Sequence, residues 1–220
     1  MSAEAAGIRL SRPALCLVTD RGLCGEERLV DVVAAAVAGG VTLVQLREKD
    51  LGAGRLYELG LRLKPVVAGS ASLVINDRLD VALALGADGV QLGSGSLPTA
   101  AARRLAGDRL LVGRSVHSVA EAVAAEREGA DFVVLGTIFP SRSHPGQAGA
   151  GLGVIAEARA AVALPVIAIG GIDAANVAGV VRAGADGAAV ISAILAADDP
   201  RAAAAALARG LRQSWQGARS

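Results

Sequence analysis

Aromatic residues are nearly missing from this 220-residue chain, which has one Trp, one Tyr and two Phe. A surface that stacks bases needs a row of aromatics, so a single-strand nucleic-acid platform is excluded. An excess of one charge is missing too. Twenty-two basic residues face 21 acidic ones for a net charge of +1, whereas a dedicated nucleic-acid binder carries a basic footprint. Cysteine is limited to Cys16 and Cys24. Two thiols make no disulfide framework, and with only two histidines they make a poor metal cage. They read as ordinary reduced thiols of an intracellular protein. No apolar run reaches the roughly 18 to 20 residues needed to span a bilayer. The first dozen residues lack an apolar core of signal-peptide length. The expectation is a cytoplasmic protein that engages neither nucleic acid nor membrane.

What is present is a globular composition, 53% hydrophobic and 20% charged, which excludes disorder as the main state. It is arranged in a rhythm. Short apolar runs recur at Leu15–Thr19, Val41–Leu46, Leu73–Asn76, Gly89–Leu92, Leu110–Gly113, Phe132–Gly136, Val166–Ile169 and Ala188–Ile191. They are continuously apolar rather than alternating, as parallel strands buried on both faces are. Ala-rich stretches with helical character lie between them, among them Glu27–Ala38, Ser118–Glu128, Gly153–Ala161 and Val177–Ala183. The junctions repeat as well. Gly86-Ala87-Asp88, Gly129-Ala130-Asp131 and Gly184-Ala185-Asp186 each separate a helix from the next strand, and Gly39-Gly40-Val41 plays the same part earlier. Glycine there can take the left-handed conformation that ends a helix. Eight such units, with no G-x-G-x-x-G after the first strand, favour a (β/α)8 TIM barrel over an open doubly wound sheet. The reading is one α/β barrel domain over residues 13–220 behind a flexible N-terminus over 1–12. Pro200–Gln216 is the last outer helix.

In such a barrel the active site lies at the C-terminal ends of the strands, and the polar residues fall there. Gly170-Gly171 and Ile191-Ser192, after strands seven and eight, are placed to bind a phosphate through backbone N–H groups. Gln45, Arg47 and Lys49 alternate along the second strand and so share one face, which suits an anionic ligand. Asn76, Asp77, Ser115 and Thr137 stand at the ends of strands three, five and six. His117 lies between strand five and a helix that Ser118 and Glu121 open as a capping box. Imidazole suits proton transfer at neutral pH. The Gly-rich segment from Thr137 to Gly151, with Ser141, Ser143 and His144, has the character of a loop that closes over substrate.

Several of these motifs, in order, resemble the thiamine-phosphate synthase superfamily. They are Val44-Gln45-Leu46-Arg47-Glu48-Lys49, Ile75-Asn76-Asp77-Arg78, Gly136-Thr137-Ile138-Phe139-Pro140-Ser141, Ile169-Gly170-Gly171-Ile172 and Ala189-Val190-Ile191-Ser192. The resemblance implies a barrel acting in thiamine biosynthesis. The synthases of that superfamily join a pyrimidine diphosphate to a thiazole phosphate with Mg²⁺. They carry His-x-Gly-Gln-x-Asp after strand four, the Asp a metal ligand, and later Thr-x-Thr-Lys. Here Ser96 stands at the place of that Asp, within Gln91-Leu92-Gly93-Ser94-Gly95-Ser96, and Ser141-Arg142-Ser143-His144 replaces the later motif. With Asp77 left alone as a metal ligand, the resemblance leans to the thiazole tautomerase branch, which Gly113-Arg114-Ser115-Val116-His117-Ser118 also resembles. That branch implies an isomerase that aromatises a carboxythiazole ethyl phosphate, with His117 as the catalytic proton carrier and no metal or cofactor. Gln45, Arg47, Lys49, Asn76, Ser115, Thr137, Ser141, Ser143, His144, Gly170, Gly171, Ile191 and Ser192 would hold the thiazole phosphate. The alternatives are a Mg²⁺-dependent synthase, with Asp77 on the metal, and a non-catalytic barrel that binds thiazole or thiamine phosphate. A homodimer through an apolar helix face stays open.

Overall fold

The computed structural model describes residues 10–140 and 148–217. Of the expected N-terminal segment, residues 1–9 lie outside the described residues. The elements alternate as the rhythm requires. They run β1 (Ala14–Val18), α1 (Arg21–Cys24), α2 (Leu29–Ala38), β2 (Leu43–Leu46), α3 (Ala53–Val67), β3 (Ser72–Asn76), α4 (Leu79–Leu85), β4 (Gly89–Leu92) and α5 (Thr99–Ala106). They continue with β5 (Leu111–Val116), α6 (Val119–Arg127), β6 (Phe132–Gly136), α7 (Gly153–Ala161), β7 (Val166–Ile169), α8 (Val177–Arg182), β8 (Gly187–Val190), α9 (Ser192–Leu195) and α10 (Pro200–Gly217). All eight strands pair in parallel and β8 closes on β1. The chain is a single-domain (β/α)8 barrel. No helix among the described residues is long and apolar enough to cross a membrane.

The period of two along each strand sorts the core into two bodies. One parity, which includes Cys16, Val18, Leu43, Val74, Leu111, Phe132, Val134, Ile167 and Ala189, fills the barrel interior. The other, which includes Leu15, Leu17, Val44, Leu73, Ile75, Val112, Val133 and Ala168, packs outward beneath the helices. Both faces of every strand are therefore dry, which is why the runs are unbroken rather than alternating. Helix α10 completes the outer ring against α2 and α8.

The repeated Gly-Ala-Asp junction has a second half that its glycine does not explain. Gly86, Gly129 and Gly184 all have positive φ, at 61°, 90° and 105°, so each ends its helix as expected. The aspartate two residues on then grips the neighbouring strand reciprocally. Asp88 donates its N–H to Leu73 O at 2.9 Å and its Oδ2 accepts from Leu73 N at 2.7 Å. Asp131 does the same to Val112, at 2.7 Å both ways. Asp186 does it to Val166, at 2.7 and 3.0 Å. Thr42 repeats the device on Leu15 with its hydroxyl. The N–H groups of Leu15, Leu73 and Val112, second in β1, β3 and β5, and of Val166, first in β7, thus have acceptors at the barrel's lower rim.

Strand β5 differs from the expected run by continuing through Arg114 and Ser115 to Val116. The polar pair looked like the start of a loop. It is ladder, because Ser115 faces the mouth and Arg114 carries its charge outward to Leu97 O.

Candidate functional site

The inward parity, followed past the strand ends, lines a cavity of about 1050 Å³ at the C-terminal mouth. On β2 it brings Gln45, Arg47 and Lys49 to the wall. The intervening Glu48 has the opposite parity and is buried, with both carboxylate oxygens accepting from Arg21 N–H at 3.2 Å. The Arg21 guanidinium also pairs with Glu48, Asp50 and Glu26. This cluster ties the loop after β1 to the loop after β2. It lines a separate recess of about 300 Å³. Arg47 is held only by its backbone, whose N–H donates to Thr19 Oγ1 at 2.9 Å. Among the described residues, neither the Arg47 guanidinium nor the Lys49 ammonium has an ion-pair partner. Two unneutralised cations in a concave, partly dry mouth attract an anion.

Next to them a relay of amides has one possible direction. An ionised carboxylate only accepts, so Asn76 must turn its Nδ2 to Asp77 Oδ2, at 2.7 Å. Its Oδ1 then faces Gln45 and takes that residue's Nε2–H at 2.8 Å. Gln45 is left with Oε1 as a free acceptor at the cavity wall. Asp77 itself sits at φ 61°, the one described non-glycine residue with positive φ. Its Oδ1 accepts from Gly93 N at 3.0 Å and from the Ser96 hydroxyl. The loop after β4 is thereby fastened to the end of β3.

On β5, Ser115 reaches the cavity and accepts at Oγ from Gln91 Nε2 at 3.0 Å. His117 lines the rim beyond it. Its Nδ1 lies 2.6 Å from Gly136 O. A carbonyl only accepts, so Nδ1 carries the proton and Nε2 is the nitrogen left for a ligand. The expected capping box is shifted by one residue. Ser118 Oγ accepts from Glu121 N at 3.2 Å, but Glu121 Oε2 takes the N–H of His117 at 2.8 Å rather than that of Ser118. The helix start therefore grips the histidine's own backbone.

The opposite wall is glycine and backbone. Gly170 and Gly171 have φ of 105° and 60°. A Cβ on Gly170 would collide with Thr137, and one on Gly171 with Phe139 and Pro140 O. These glycines are thus required by the loop after β6 as much as by a ligand, a reason the sequence alone did not supply. Thr137 contributes its packing under Gly170 and its place on the cavity wall. Asn176 braces the turn by donating Nδ2 to Gly171 O at 2.8 Å and accepting from Asp173 N at 3.0 Å. Among the described residues, the N–H groups of Gly171, Ser192 and Ala193 have no acceptor. They line the same cavity.

One mouth thus gathers His117, Gln45, Arg47, Lys49, Asn76, Asp77, Ser115, Thr137, Gly170, Gly171, Ile191 and Ser192. Ser141, Ser143 and His144 lie outside the described residues. Sequence reasoning gave no role to Gly93, whose N–H donates to Asp77, or to Gln91, which it placed at the end of strand four and whose amide bonds Ser115. The inward parity of β4 would have pointed to Gln91. Both thiols are free and buried. Burial pushes Cys16 up to about 12 and raises Cys24 as well.

Comparison with known proteins adds a family. The thiamine monophosphate synthase family matches residues 15–194. A protein of Desulfitobacterium hafniense named thiamine-phosphate synthase is 45% identical over 205 residues, covering 92% of this chain and 97% of its own. One of Roseiflexus castenholzii with the same name is 46% identical over 199 residues, covering 89% and 87%. Among solved structures, thiamine phosphate pyrophosphorylase from Pyrococcus furiosus superposes with a TM-score of 0.84 at 38% identity, covering 91% of this chain and 96% of its own. The expectation of an enzyme in this superfamily holds. The thiazole tautomerase reading does not, because relatives this similar over nearly the whole chain bear the synthase name. That reading leaned on Ser96 standing where a carboxylate was expected, on the altered motif at residues 141–144 and on the resemblance of residues 113–118 to the tautomerase branch. The missing carboxylate is weak ground, since Mg²⁺ takes much of its shell from phosphate oxygens and water.

Proposed function

The chain belongs to the thiamine monophosphate synthase family, and we propose on that footing that it is a transferase joining a pyrimidine diphosphate to a thiazole phosphate. In that reaction the C–O bond between the pyrimidine's methylene carbon and the diphosphate breaks. The electron pair leaves with pyrophosphate. The thiazole ring nitrogen supplies the pair for the new C–N bond. The observation that carries this reading is that the cavity has two different anion-attracting walls. Arg47 and Lys49 stand free on one side, and the N–H groups of Gly171, Ser192 and Ala193 stand free on the other. A single small monophosphate would need only one of them.

The cationic wall suits the diphosphate, which carries more charge. The amide wall suits the monoester phosphate of the thiazole. Gln45 Oε1, fixed as an acceptor by the relay from Asp77, takes an N–H of the aminopyrimidine. His117 offers Nε2 at the rim as an acceptor for a ligand N–H or a bound water. Holding both partners in one mouth turns a two-molecule encounter into a local one.

Mg²⁺ comes with this reading, and the side chains present fit it in one manner only. Among the described residues, no three His, Cys, Asp or Glu side chains are grouped to cage a metal. Asp77 alone offers a carboxylate on the β3–β4 side of the wall, with the Ser96 hydroxyl on it. Mg²⁺ commonly takes one or two carboxylates and completes its shell with phosphate oxygens and water. Asp77 would therefore be the residue that holds the ion, which when bound would neutralise charge on the leaving group. Incubation with hydroxymethylpyrimidine diphosphate, thiazole phosphate and Mg²⁺ should give thiamine phosphate and pyrophosphate in equal amounts, and EDTA should stop it. No condensation by folded protein at saturating substrates would refute the reading.

A further inference from the structure

The charges that follow β2 alternate in sign: Arg47, Glu48, Lys49 and Asp50 stand in a row. Consecutive Cα atoms are about 3.8 Å apart, so each cation has a carboxylate next to it in the chain. Among the described residues neither cation pairs with one, because both carboxylates go to Arg21. Arg21 Nη1 donates to Glu48 Oε2 at 3.2 Å and to Asp50 Oδ1 at 2.7 Å, and Nη2 donates to Asp50 Oδ2. The Arg21 backbone N–H adds a bond to Glu48. Arg21 Nε faces Glu26 at 3.2 Å, and Glu26 has a second cation in Arg55. Glu48 has none: its side chain is 3% exposed, and Arg21 is its one ion-pair partner among the described residues.

Glu48 lines the mouth as well as the recess behind it. A buried carboxylate that loses its cation is costly, and its neighbours in the chain are the two free cations. Either pairing would cancel a charge that faces the ligand. Asp20, the other carboxylate that lines both cavities, is occupied in capping α1, with Oδ1 accepting from Gly22 N at 3.1 Å. Arg21 is itself placed by the end of β1. There Thr19 donates its N–H to Gln45 O at 2.9 Å and accepts the Arg47 N–H at its hydroxyl.

We propose that Arg21 is a positioning residue that keeps the diphosphate wall cationic, by holding Glu48 and Asp50 so that Arg47 and Lys49 meet the ligand unpaired. The inference rests on the transferase reading, which puts the diphosphate on that wall. Arg21 lines the recess rather than the mouth, and acts through the two carboxylates alone.

The test is rescue. Calorimetric binding of inorganic pyrophosphate, with Mg²⁺ present, reads the wall directly, and KM for the pyrimidine diphosphate reads it in turnover. Arg21→Met should weaken both about tenfold, the loss of one charge-assisted bond to the ligand. Adding Glu48→Gln should bring both back to within about threefold of the wild type, because Gln still accepts the backbone N–H at position 21 and has no charge to give to Arg47 or Lys49. Adding Asp50→Asn should complete the recovery. Adding Glu26→Gln to Arg21→Met should recover nothing, since Glu26 keeps Arg55 and adjoins neither cation in the chain. Glu48→Gln by itself should leave affinity within about a factor of two. An Arg21 that merely fastens the two loops predicts the reverse: Glu48→Gln by itself would weaken binding, and would rescue nothing. An effect of bulk charge would let Glu26→Gln rescue as well as Glu48→Gln does. Either result overturns the proposal, as does an Arg21→Met protein that binds pyrophosphate like the wild type. Should Arg21→Met not fold, Arg21→Lys, whose single ammonium lacks the fork for two carboxylates, enters the same comparison with the same second changes. If the wild-type protein binds pyrophosphate without condensing the two substrates, the transferase reading fails while the rescue is still read by calorimetry. A wild type that binds no pyrophosphate overturns the proposal.

Discussion

Replacing Arg47 by Met should weaken the pyrimidine diphosphate and almost nothing else. The guanidinium has no ion pair or hydrogen bond among the described residues, and its backbone N–H bond to Thr19 Oγ1 survives the change. Met keeps the half-buried stem covered, so stability should move by no more than about 0.5 kcal/mol, or roughly 1–2 °C for a domain of this size. Binding is another matter. A hydrogen bond to a charged group is worth about 1.5–3 kcal/mol. At 1.4 kcal/mol per factor of ten, kcat/KM for the diphosphate should fall about 10- to 100-fold. The proposed place of the thiazole phosphate is against backbone N–H groups on the far wall, so its KM should stay within about a factor of two. Steady-state kinetics with each substrate varied in turn, beside a thermal melt, reads all three quantities. A loss confined to the thiazole phosphate would show the walls assigned the wrong way round. A large fall in Tm would make Arg47 a structural residue.

Three further expectations follow from the same geometry. Asp131→Ala strands the Val112 N–H and removes the carboxylate beside Arg103, so it should cost about 2–4 kcal/mol in urea unfolding. Asp131→Asn keeps an acceptor for Val112 and should cost clearly less, and equal costs would deny the strand-capping role. Ser96→Asp puts a second carboxylate against Asp77, which should lower Tm in EDTA and make Tm rise with added Mg²⁺; a Tm blind to Mg²⁺ would argue against metal at Asp77. Cys16, pushed by burial up to about 12, keeps its proton in the fold at pH values where the unfolded thiol ionises. Stability from this group is therefore whole at neutral pH, declines once pH exceeds about 9 and is gone near 12. Urea midpoints at pH 8 and 10 should differ less in Cys16→Val than in the wild type, and an unchanged difference would remove the thiol from the account.

The barrel was legible because its cause is local and repeated. Unbroken apolar runs mean strands dry on both sides, and β4, β6, β7 and α7 have the expected bounds. Where the reading slipped, polarity was taken for loop. Ser115 is polar because it lines the mouth, yet it is still ladder, so β5 runs three residues further than expected. The Gly-Ala-Asp repeat was read for its glycine, while its aspartate does as much by capping a strand 15 to 20 residues earlier. Such a contact has no local signature. Gln45, Arg47 and Lys49 were readable because a period of two sends all three the same way. Gln91 was given no role, because its bond is to Ser115 of the neighbouring strand. The choice of reaction slipped for a related reason. Ser96 was weighed as a lost metal ligand and residues 141–144 as a lost diphosphate motif, whereas similarity along nearly the whole chain outweighs two local departures.

The two ends of the barrel treat their polar groups in opposite ways. At the lower rim the N–H groups of Leu15, Leu73, Val112 and Val166 each find a side-chain acceptor, and the aspartates that supply three of them are themselves bonded back. At the mouth Arg47, Lys49, Gln45 Oε1 and the N–H groups of Gly171, Ser192 and Ala193 are left without partners among the described residues. The same chain has shown that it can saturate such groups, so leaving them open at one end reflects a ligand that completes them. The division within the mouth then carries the specificity. The β2–β5 half brings cations and oriented amides, and the β6–β8 half brings glycine, apolar side chains and bare backbone. A diphosphate that departs with the bonding electrons needs full positive charge beside it. A phosphate that only anchors its molecule needs hydrogen-bond donors and little more. Two walls of unequal charge thus match two phosphorylated partners with unequal parts in the reaction, and a reaction on one ligand gives no reason for the difference.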